Sequence, residues 1–509
     1  MKPDSPGVAQ EAVPVHRPRL LARVRDPIAD GMAGTEPPPG GPGPSTDGPA
    51  VLTGWGGTPA SAATLVRPEG PADLARAVLG RGPEGRSPGG PVIPRGLGRS
   101  YGDAAQCAGG VVLDMSAFDA IGEVDPATGV VEVGGGVSID ALLRRVLPQG
   151  WFVPVTPGTR QVTIGGAVAA DVHGKNHHLD GSFCSHVTEL TLSTPAGSQR
   201  VGPELDDELF WATAGGMGLT GAVTSAALRL MPVETGWMLV DTDRFGDLDA
   251  VMAAMEETDA DHRYSVAWLD CSGGRGHGRS VLNRGDHAPR AALGPRSGSP
   301  FAVPDRTRLS VPRRVPNGLV NAATVRLFNE LWFRRSPRHE RGALDSMGSF
   351  FHPLDIVGDW NRLYGHAGFV QYQFVVGPSY GEVVHRAVAM IADAGVPSSL
   401  TVLKRFGPGD PGPLSFPMEG WTLALDFPVG PERLPSLLDR LDDLVAGVGG
   451  RVYLAKDARL SPECFATMYP RAHELAAVRA RVDPHGVLGS DLSRRIGLTA
   501  TRTRGADRA

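Results

Sequence analysis

The sequence predicts an α+β fold, and three observations carry that expectation. Short β-runs and helical pieces are mixed over the first half and separated by glycine turns. From about residue 236 the strands lengthen and long helical patterns appear between them. Near residue 450 the texture reverts to a short strand followed by helices running to about Arg495.

The elements follow in chain order. Residues 34–50 are almost pure Pro, Gly and small polar residues, which cannot offset their ordering entropy. Residues 1–50 are therefore expected to be a disordered extension, with folded structure beginning near Leu52. Pro71–Leu79 reads as a helix, and Val111–Leu113 and Val130–Val133 read as strands. Ser138–Leu147 is a second helix, with Ser138 as N-cap and Ile139, Leu142, Leu143 and Val146 at helical spacing. Val187–Leu192 and Val223–Leu230 are strands. In the second region Tyr264–Leu269 and Gly368–Val376 are longer strands, and Tyr380–Asp393 is a helix. Residues 272–316 are dense in Gly, Arg, Pro and Ser and read as a mobile loop. Val452–Leu454 is a short strand, and residues 498–509 are expected to be a frayed tail. The expected domains are thus 51–235, 236–450 and 451–497.

Composition excludes several classes. Lys and Arg total 50 against 55 Asp and Glu, a net charge of −5, so no basic excess exists to neutralise a nucleic-acid backbone. The four cysteines, Cys107, Cys184, Cys271 and Cys464, lack metal or redox spacing and make no disulfide framework. The N-terminus lacks the apolar core of a signal peptide, and no apolar run is long enough to span a membrane. The expected location is cytoplasmic or peripheral at the cell envelope, with at most peripheral membrane contact.

The unusual glycine content, 68 residues, is concentrated partly in three loops. PRGLGRSYGDAA (94–105) follows apolar Val92 and Ile93, and its glycines let backbone N–H groups turn toward an anion without Cβ obstruction. TPGTRQVTIGGAVAADVHGKNHH (156–178) places Gly165-Gly166 before Ala167, Ala169 and Ala170, a run that can lie flush against a flat ligand. TAGGMGLTGAV (213–223) contains Gly216-x-Gly218-x-x-Gly221. A nicotinamide site needs a strand before that spacing and a helix after it, whereas here the order is inverted. Three such loops together point to one large phosphate-bearing cofactor. His173, His177, His178 and His186 lie close in sequence, but no carboxylate or cysteine completes a zinc set, so no metal is expected.

These loops, with SFFHPLD, GFVQYQFV, AKDAR and MYPR, resemble the vanillyl-alcohol-oxidase (PCMH-type) flavoproteins. The likeness is greatest to the branch that oxidises decaprenylphosphoryl ribose, and it covers roughly residues 52–497. It implies a two-lobed PCMH-type FAD-binding domain interrupted by a substrate domain with an antiparallel sheet. It also implies FAD contacts from Pro94, Arg95, Gly96, Leu97, Gly98, Arg99, Ser100, Tyr101, Gly102, Asp103 and Ala104. Gly158, Thr163, Ile164, Gly165, Gly166, Ala170, Asp171, Val172 and His173 continue that contact, with Val223 and Tyr453. Arg99 stands where many relatives carry an attachment histidine, and the second loop has no cysteine. Arginine stays protonated and cannot attack the flavin, so FAD is expected to be noncovalent.

The implied activity is oxidation of the 2-hydroxyl of a polyprenylphosphoryl ribose to the 2-keto sugar, with hydride passing to flavin N5. That is the first half of a ribose-to-arabinose epimerisation in arabinan and cell-wall synthesis. Lys456, Tyr101 and His173 match the catalytic positions, Lys456 either as base or as the cation beside the flavin. Lys175, Gln371, Gln373, Lys404, Phe406, Thr422 and Ala424 match the substrate side. A keto-reductase is the implied partner, and quinone or oxygen the implied electron acceptor. Phe333, Thr401, Thr422 and Ala424 depart from the pattern, replacing a tyrosine, two asparagines and a cysteine, and so reduce hydrogen bonding toward a polyol. An alditol or sugar oxidase on the same fold, or a noncatalytic flavoprotein, therefore stays open. Trp268 and Trp332 are expected in the core or the pocket wall.

Overall fold

The computed structural model describes residues 48–79, 90–272, 278–302 and 309–500. Two small sheets and one large sheet organise them, in keeping with the expected α+β class.

The first sheet contains β1 (Gly48–Thr53), β2 (Ala60–Val66), β3 (Val92–Arg95) and β4 (Val111–Asp114), in the order β1-β2-β4-β3. β1 runs antiparallel to β2, while β2 and β3 both run parallel to β4. Residues 48–50, expected to be disordered, are part of β1, because backbone pairing to Ala63–Leu65 satisfies a segment whose side chains carry no strand signal. Helix α1 (Pro71–Val78) closes this sheet with Leu74 and Val78, which pack against Val92, Val111 and Leu113.

The second sheet joins β5 (Val130–Gly134), β6 (Val187–Thr194), β7 (Gly197–Val201) and β8 (Ala222–Arg229), all antiparallel in the order β5-β8-β6-β7. Helix α2 (Ile139–Val146) forms as its spacing predicts. Ser138 accepts from Ala141 N–H at 3.0 Å, and Ile139, Leu142, Leu143 and Val146 are the buried side. The short α3 (Ile164–Ala169) begins at Thr163, and α4 (Asp207–Thr213) at Asp206.

The third sheet has eight antiparallel strands: β9 (Trp237–Phe245), β10 (Tyr264–Leu269), β11 (Ser280–His287), β12 (His339–Ser346), β13 (Phe369–Val376), β14 (Thr401–Phe406), β15 (Gly420–Pro428) and β16 (Arg451–Val452). Their order is β12-β9-β11-β10-β14-β15-β13-β16. Helix α5 (Leu248–Thr258) packs on β9 and β11, α6 (Ala322–Arg335) precedes β12, and α7 (Gly381–Ala394) and α8 (Leu434–Ala446) pack on β15 and β13.

Three expectations need correction here. The supposed loop 272–316 contains β11, an interior strand. Its SVLNRGDH sequence has only two large apolar residues, yet Arg284 is buried because its guanidinium pairs with Asp243 on neighbouring β9 and donates to Thr258 Oγ1 at 2.8 Å. Residues 273–277 and 303–308 of that segment lie outside the described residues. The third sheet also continues past residue 450 into Arg451–Val452, and the chain then turns back toward the first two sheets, so no strand reaches Leu454. Finally, Thr499 belongs to the folded unit rather than the tail, since its N–H donates to Ser493 O at 3.1 Å. The rest of the expected extension and tail, 1–47 and 501–509, lies outside the described residues. No helix among the described residues is long and apolar enough to cross a membrane.

Candidate active site

A cavity opens between the two small sheets and the polar face of the large one. Strand alternation builds its floor. In β13, Tyr372 and Phe374 take one face, leaving Gln371 and Gln373 on the other. Across the ladder Gln371 faces Asp426, Gln373 faces Ala424, and Lys404 of β14 faces Thr422. Gln371, Gln373, Val402, Lys404 and Ala424 therefore share one surface.

The walls come from the glycine loops. Residues 94–101 and Ala104 line the cavity, as do Gly158, Thr163, Gly165, Gly166, Ala170, Val172, His173, Val223, Tyr453 and Lys456. Parallel pairing of β3 with β4 sends loop 96–104 off the end of the first sheet. Arg95 then ties that loop down by donating to Thr53 O at 2.8 Å and Ala105 O at 3.0 Å. Tyr101 N–H donates to Ala455 O at 3.0 Å, which joins the first glycine loop to the turn bearing Lys456. Tyr453 anchors the same turn through its hydroxyl, which donates to Ala170 O at 2.8 Å.

Other sequence-selected residues sit outside the cavity lining. Gly102 packs against the backbone of Asp457 and Ala458. Asp103 is ion-paired with Arg495. Ile164 is core, and Asp171 is buried with its carboxylate on Ser415 Oγ and Cys184 N–H. Lys175 turns away to donate to Phe350 O. Phe406 packs at a tilt against His173 and His177, with ring centroids 4.7 and 4.5 Å away. Thr422 accepts from Gln373, and Thr401 is buried against Ser398. Phe333 is far from its expected place, held on α6 between the guanidinium groups of Arg244 and Arg279. Trp268 is buried, but Trp332 is 43% exposed rather than core.

Several lining residues had no role assigned from sequence, among them Trp55, Met217, Leu354 and Trp360. The Trp55 and Trp360 rings meet edge to face at 5.8 Å from segments far apart in the chain, and no local pattern announces that meeting. Gly218 and Gly221 also line the cavity, although α4 precedes and β8 follows them, the reverse of a nicotinamide turn. His178 and His186 bond to backbone carbonyls, and among the described residues no group of His, Cys, Asp or Glu is disposed to hold a metal.

Electrostatics set the chemistry. The charged residues lining the cavity are Arg95, Arg99, Lys404 and Lys456, and no carboxylate lines it among the described residues. The Arg99 guanidinium stacks 3.8 Å above the Trp55 ring, where burial lowers its pKa against the pull of Asp355 and Asp359. Burial lowers Lys456 to about 8 while Asp426 opposes the shift, and its Nζ lies 4.0 Å over the Tyr101 ring. Burial, then the nearby Lys456 and Lys175, lowers Lys404 to about 7. Burial and Lys404 push His173 well below its ordinary range, so its ring is neutral. Tyr101 is pushed well above the usual phenol range by burial and Asp426, so it stays protonated.

One hydrogen-bond chain connects these groups. The Gln373 amide N–H₂ donates to Thr422 Oγ1 at 3.1 Å and to His173 Nε2 at 3.0 Å. On the other side of the ring, His173 Nδ1 faces Lys404 Nζ at 3.0 Å. Lys404 Nζ keeps its own N–H for Gly174 O at 3.3 Å.

A family model described as an FAD binding domain matches residues 62–202, which include the first two glycine loops. A Mycolicibacterium smegmatis protein named decaprenylphosphoryl-beta-D-ribose oxidase is 43% identical over 454 residues, spanning 88% of this chain and 97% of its own. The chain belongs to the decaprenylphosphoryl-β-D-ribose oxidase family. It is an FAD-dependent oxidoreductase. An uncharacterised Streptomyces coelicolor protein is 41% identical over 71% of this chain and all of its own length. L-gulono-1,4-lactone dehydrogenase of Mycobacterium tuberculosis is 23% identical over 88% of this chain and 99% of its own.

The residues fit the cofactor. Eight glycines line the cavity, so backbone comes close to a flat ligand, and Arg95 and Arg99 with no carboxylate on the lining suit a diphosphate. None of the four cysteines lines it, and Ala424 stands on the floor. A reagent that bonds to an active-site thiol should therefore leave the folded protein's cavity unlabelled. Peptide mapping that found an adduct within residues 371–456 would contradict this.

Proposed function

We propose that this chain oxidises the 2-hydroxyl of a polyprenylphosphoryl ribose to the 2-keto sugar, with FAD bound noncovalently. The observation that carries this reading is the buried cluster of Gln373, His173 and Lys404, which places an amine on the cavity floor. Bound in the cavity, FAD supplies the two-electron acceptor for the hydride of the carbinol carbon.

Lys404 accepts the proton released by the sugar hydroxyl as its carbon is oxidised. His173 and Gln373 hold that amine in position, and burial lowers it to about 7, so part of it is unprotonated at neutral pH. Lys456, opposite in role, holds positive charge beside the cofactor, with the neutral phenol of Tyr101 beneath it. Gln371 and Gln373 offer amide groups to sugar hydroxyls. Arg95 and Arg99, on the first glycine loop, meet the diphosphate of the cofactor.

The relative named for decaprenylphosphoryl ribose supports the lipid-linked substrate. The 2-keto product is a substrate for a partner keto-reductase that would give the arabino epimer, and quinone or oxygen takes the electrons from the cofactor. Ala424 puts a methyl on the floor where the resemblance gives a cysteine thiol, which leaves an alditol as the second reading of the substrate.

Two measurements test the reading. Acid precipitation should release all the flavin into solution, since Arg99 cannot form the bond and no cysteine reaches the cavity; flavin retained on the pellet would contradict noncovalent binding. Added anaerobically, farnesylphosphoryl ribose should bleach the flavin while free alditols do not. Bleaching by alditols alone would transfer the assignment to a polyol oxidase.

A further inference from the structure

Helix α6 is turned inside out for a surface helix. Its inward side is Val325 and Asn329, both buried, with Asn329 Nδ2 donating to Asp270 Oδ1 at 2.7 Å. Phe333 completes that side against Arg244 and Arg279. The outward side is apolar as well: Leu327, Phe328, Leu331 and Trp332 are 61%, 52%, 54% and 43% exposed. Positions i, i+1, i+4 and i+5 form one continuous stripe along a helix. The Phe328 and Trp332 rings stack at 6.3 Å with planes 16° apart, which makes a flat apolar platform. Monomeric soluble proteins scatter such residues singly; grouped like this, they mark a docking surface.

Charge around the stripe identifies the partner. Residues 309–341 contain Arg313, Arg314, Arg326, Arg334, Arg335, Arg338 and Arg341 against Glu330 and Glu340, in a chain whose net charge is −5. Glu330 is already paired with Arg279 and Arg334. Arg326, Arg334 and Arg335 lie on the helix itself and are exposed. An apolar strip rimmed by cations matches an anionic lipid surface, where side chains enter the acyl boundary and guanidinium groups meet phosphates. A second copy of the chain fits poorly, because a two-fold contact through α6 would set one arginine rim against the other.

We propose that α6 docks this enzyme onto anionic membranes, laying Leu327, Phe328, Leu331 and Trp332 into the lipid interface. The proposal takes its purpose, access to a lipid-linked sugar, from the function proposed above, but its evidence is independent of turnover.

Flotation of the FAD-loaded full-length protein tests it, using phosphatidylcholine vesicles with and without phosphatidylglycerol. The protein should float with the anionic vesicles and largely not with the neutral ones, and added salt should weaken the association. The double variant Phe328→Glu/Trp332→Glu should lose about tenfold or more of that binding. It should keep its flavin and its turnover of soluble farnesylphosphoryl ribose, since α6 contributes nothing to the cavity. Equal flotation of wild type and variant overturns the proposal. So does a wild-type dimer on size exclusion that the variant converts to monomer, because a second copy would then cover the stripe. Loss of turnover in the wild type with flotation intact would sink the proposed function and leave this inference standing.

Discussion

Lys404→Met should slow substrate-driven bleaching of the flavin by about 10²- to 10⁴-fold while the protein stays yellow. The expectation follows from where Lys404 gets its basicity. Burial, with Lys456 and Lys175 nearby, lowers its amine to about 7, and it faces Nδ1 of a ring held neutral by burial. Methionine preserves length and apolar bulk but has no site for the proton. The wild-type reduction rate should rise with pH through about 7, because the ammonium form cannot accept a proton, and should level off above. In Lys404→Met that rise should vanish. Lys456→Met should also slow reduction, since it removes positive charge from the cavity, yet keep a pH-dependent rise, shifted above 7 because Lys456 no longer helps to lower Lys404. A Lys404→Met enzyme with the full pH-dependent rise would move the base elsewhere.

Gly102→Ala should destabilise the protein by about 3 kcal/mol and strip most of its flavin. A Cβ at Gly102 would lie 2.0 Å from Asp457 O and 2.9 Å from Ala458 Cα, both main-chain atoms. That backbone cannot give way freely. Asp457 N–H donates to Tyr453 O at 3.0 Å, and its carboxylate is paired with Arg495, which also holds Asp103. Relief therefore displaces either the first glycine loop or the turn carrying Tyr453 and Lys456. Gly246→Ala is the matched control, because a Cβ there meets nothing within 4 Å, and it should change stability by less than about 0.5 kcal/mol. Thermal melts with and without added FAD, and flavin content after gel filtration, read both effects. Full flavin and an unchanged melt for Gly102→Ala would mean that the packing of this loop is not what shapes the site.

How far the site was legible depended on whether its signal was local. The glycine loops were readable because close backbone approach demands a residue without a side chain, and Ser138 because a cap acts within its own helix turn. Strand β13 carries a local signal as well: the alternation in FVQYQFVV separates Gln371 and Gln373 from Tyr372 and Phe374. Other features depend on partners distant in sequence. Arg284 makes β11 look like a loop until Asp243 is seen across the ladder. Trp55 and Trp360 enter the wall only through the fold. Lys175 and Phe333 carry the right chemistry for a pocket, but their contacts with Phe350 and with Arg244 and Arg279 hold them elsewhere. The glycine loops line the cavity because backbone geometry constrains them, whereas a rotamer can turn a rim side chain such as Lys175 away.

The most direct test is a single anaerobic turnover. Purified protein is mixed with excess farnesylphosphoryl ribose, and bleached flavin and sugar product are quantified together. The account predicts complete bleaching with one 2-keto sugar formed per flavin. A yellow protein that neither bleaches nor yields the keto sugar, or a protein that carries and takes up no FAD, would contradict it.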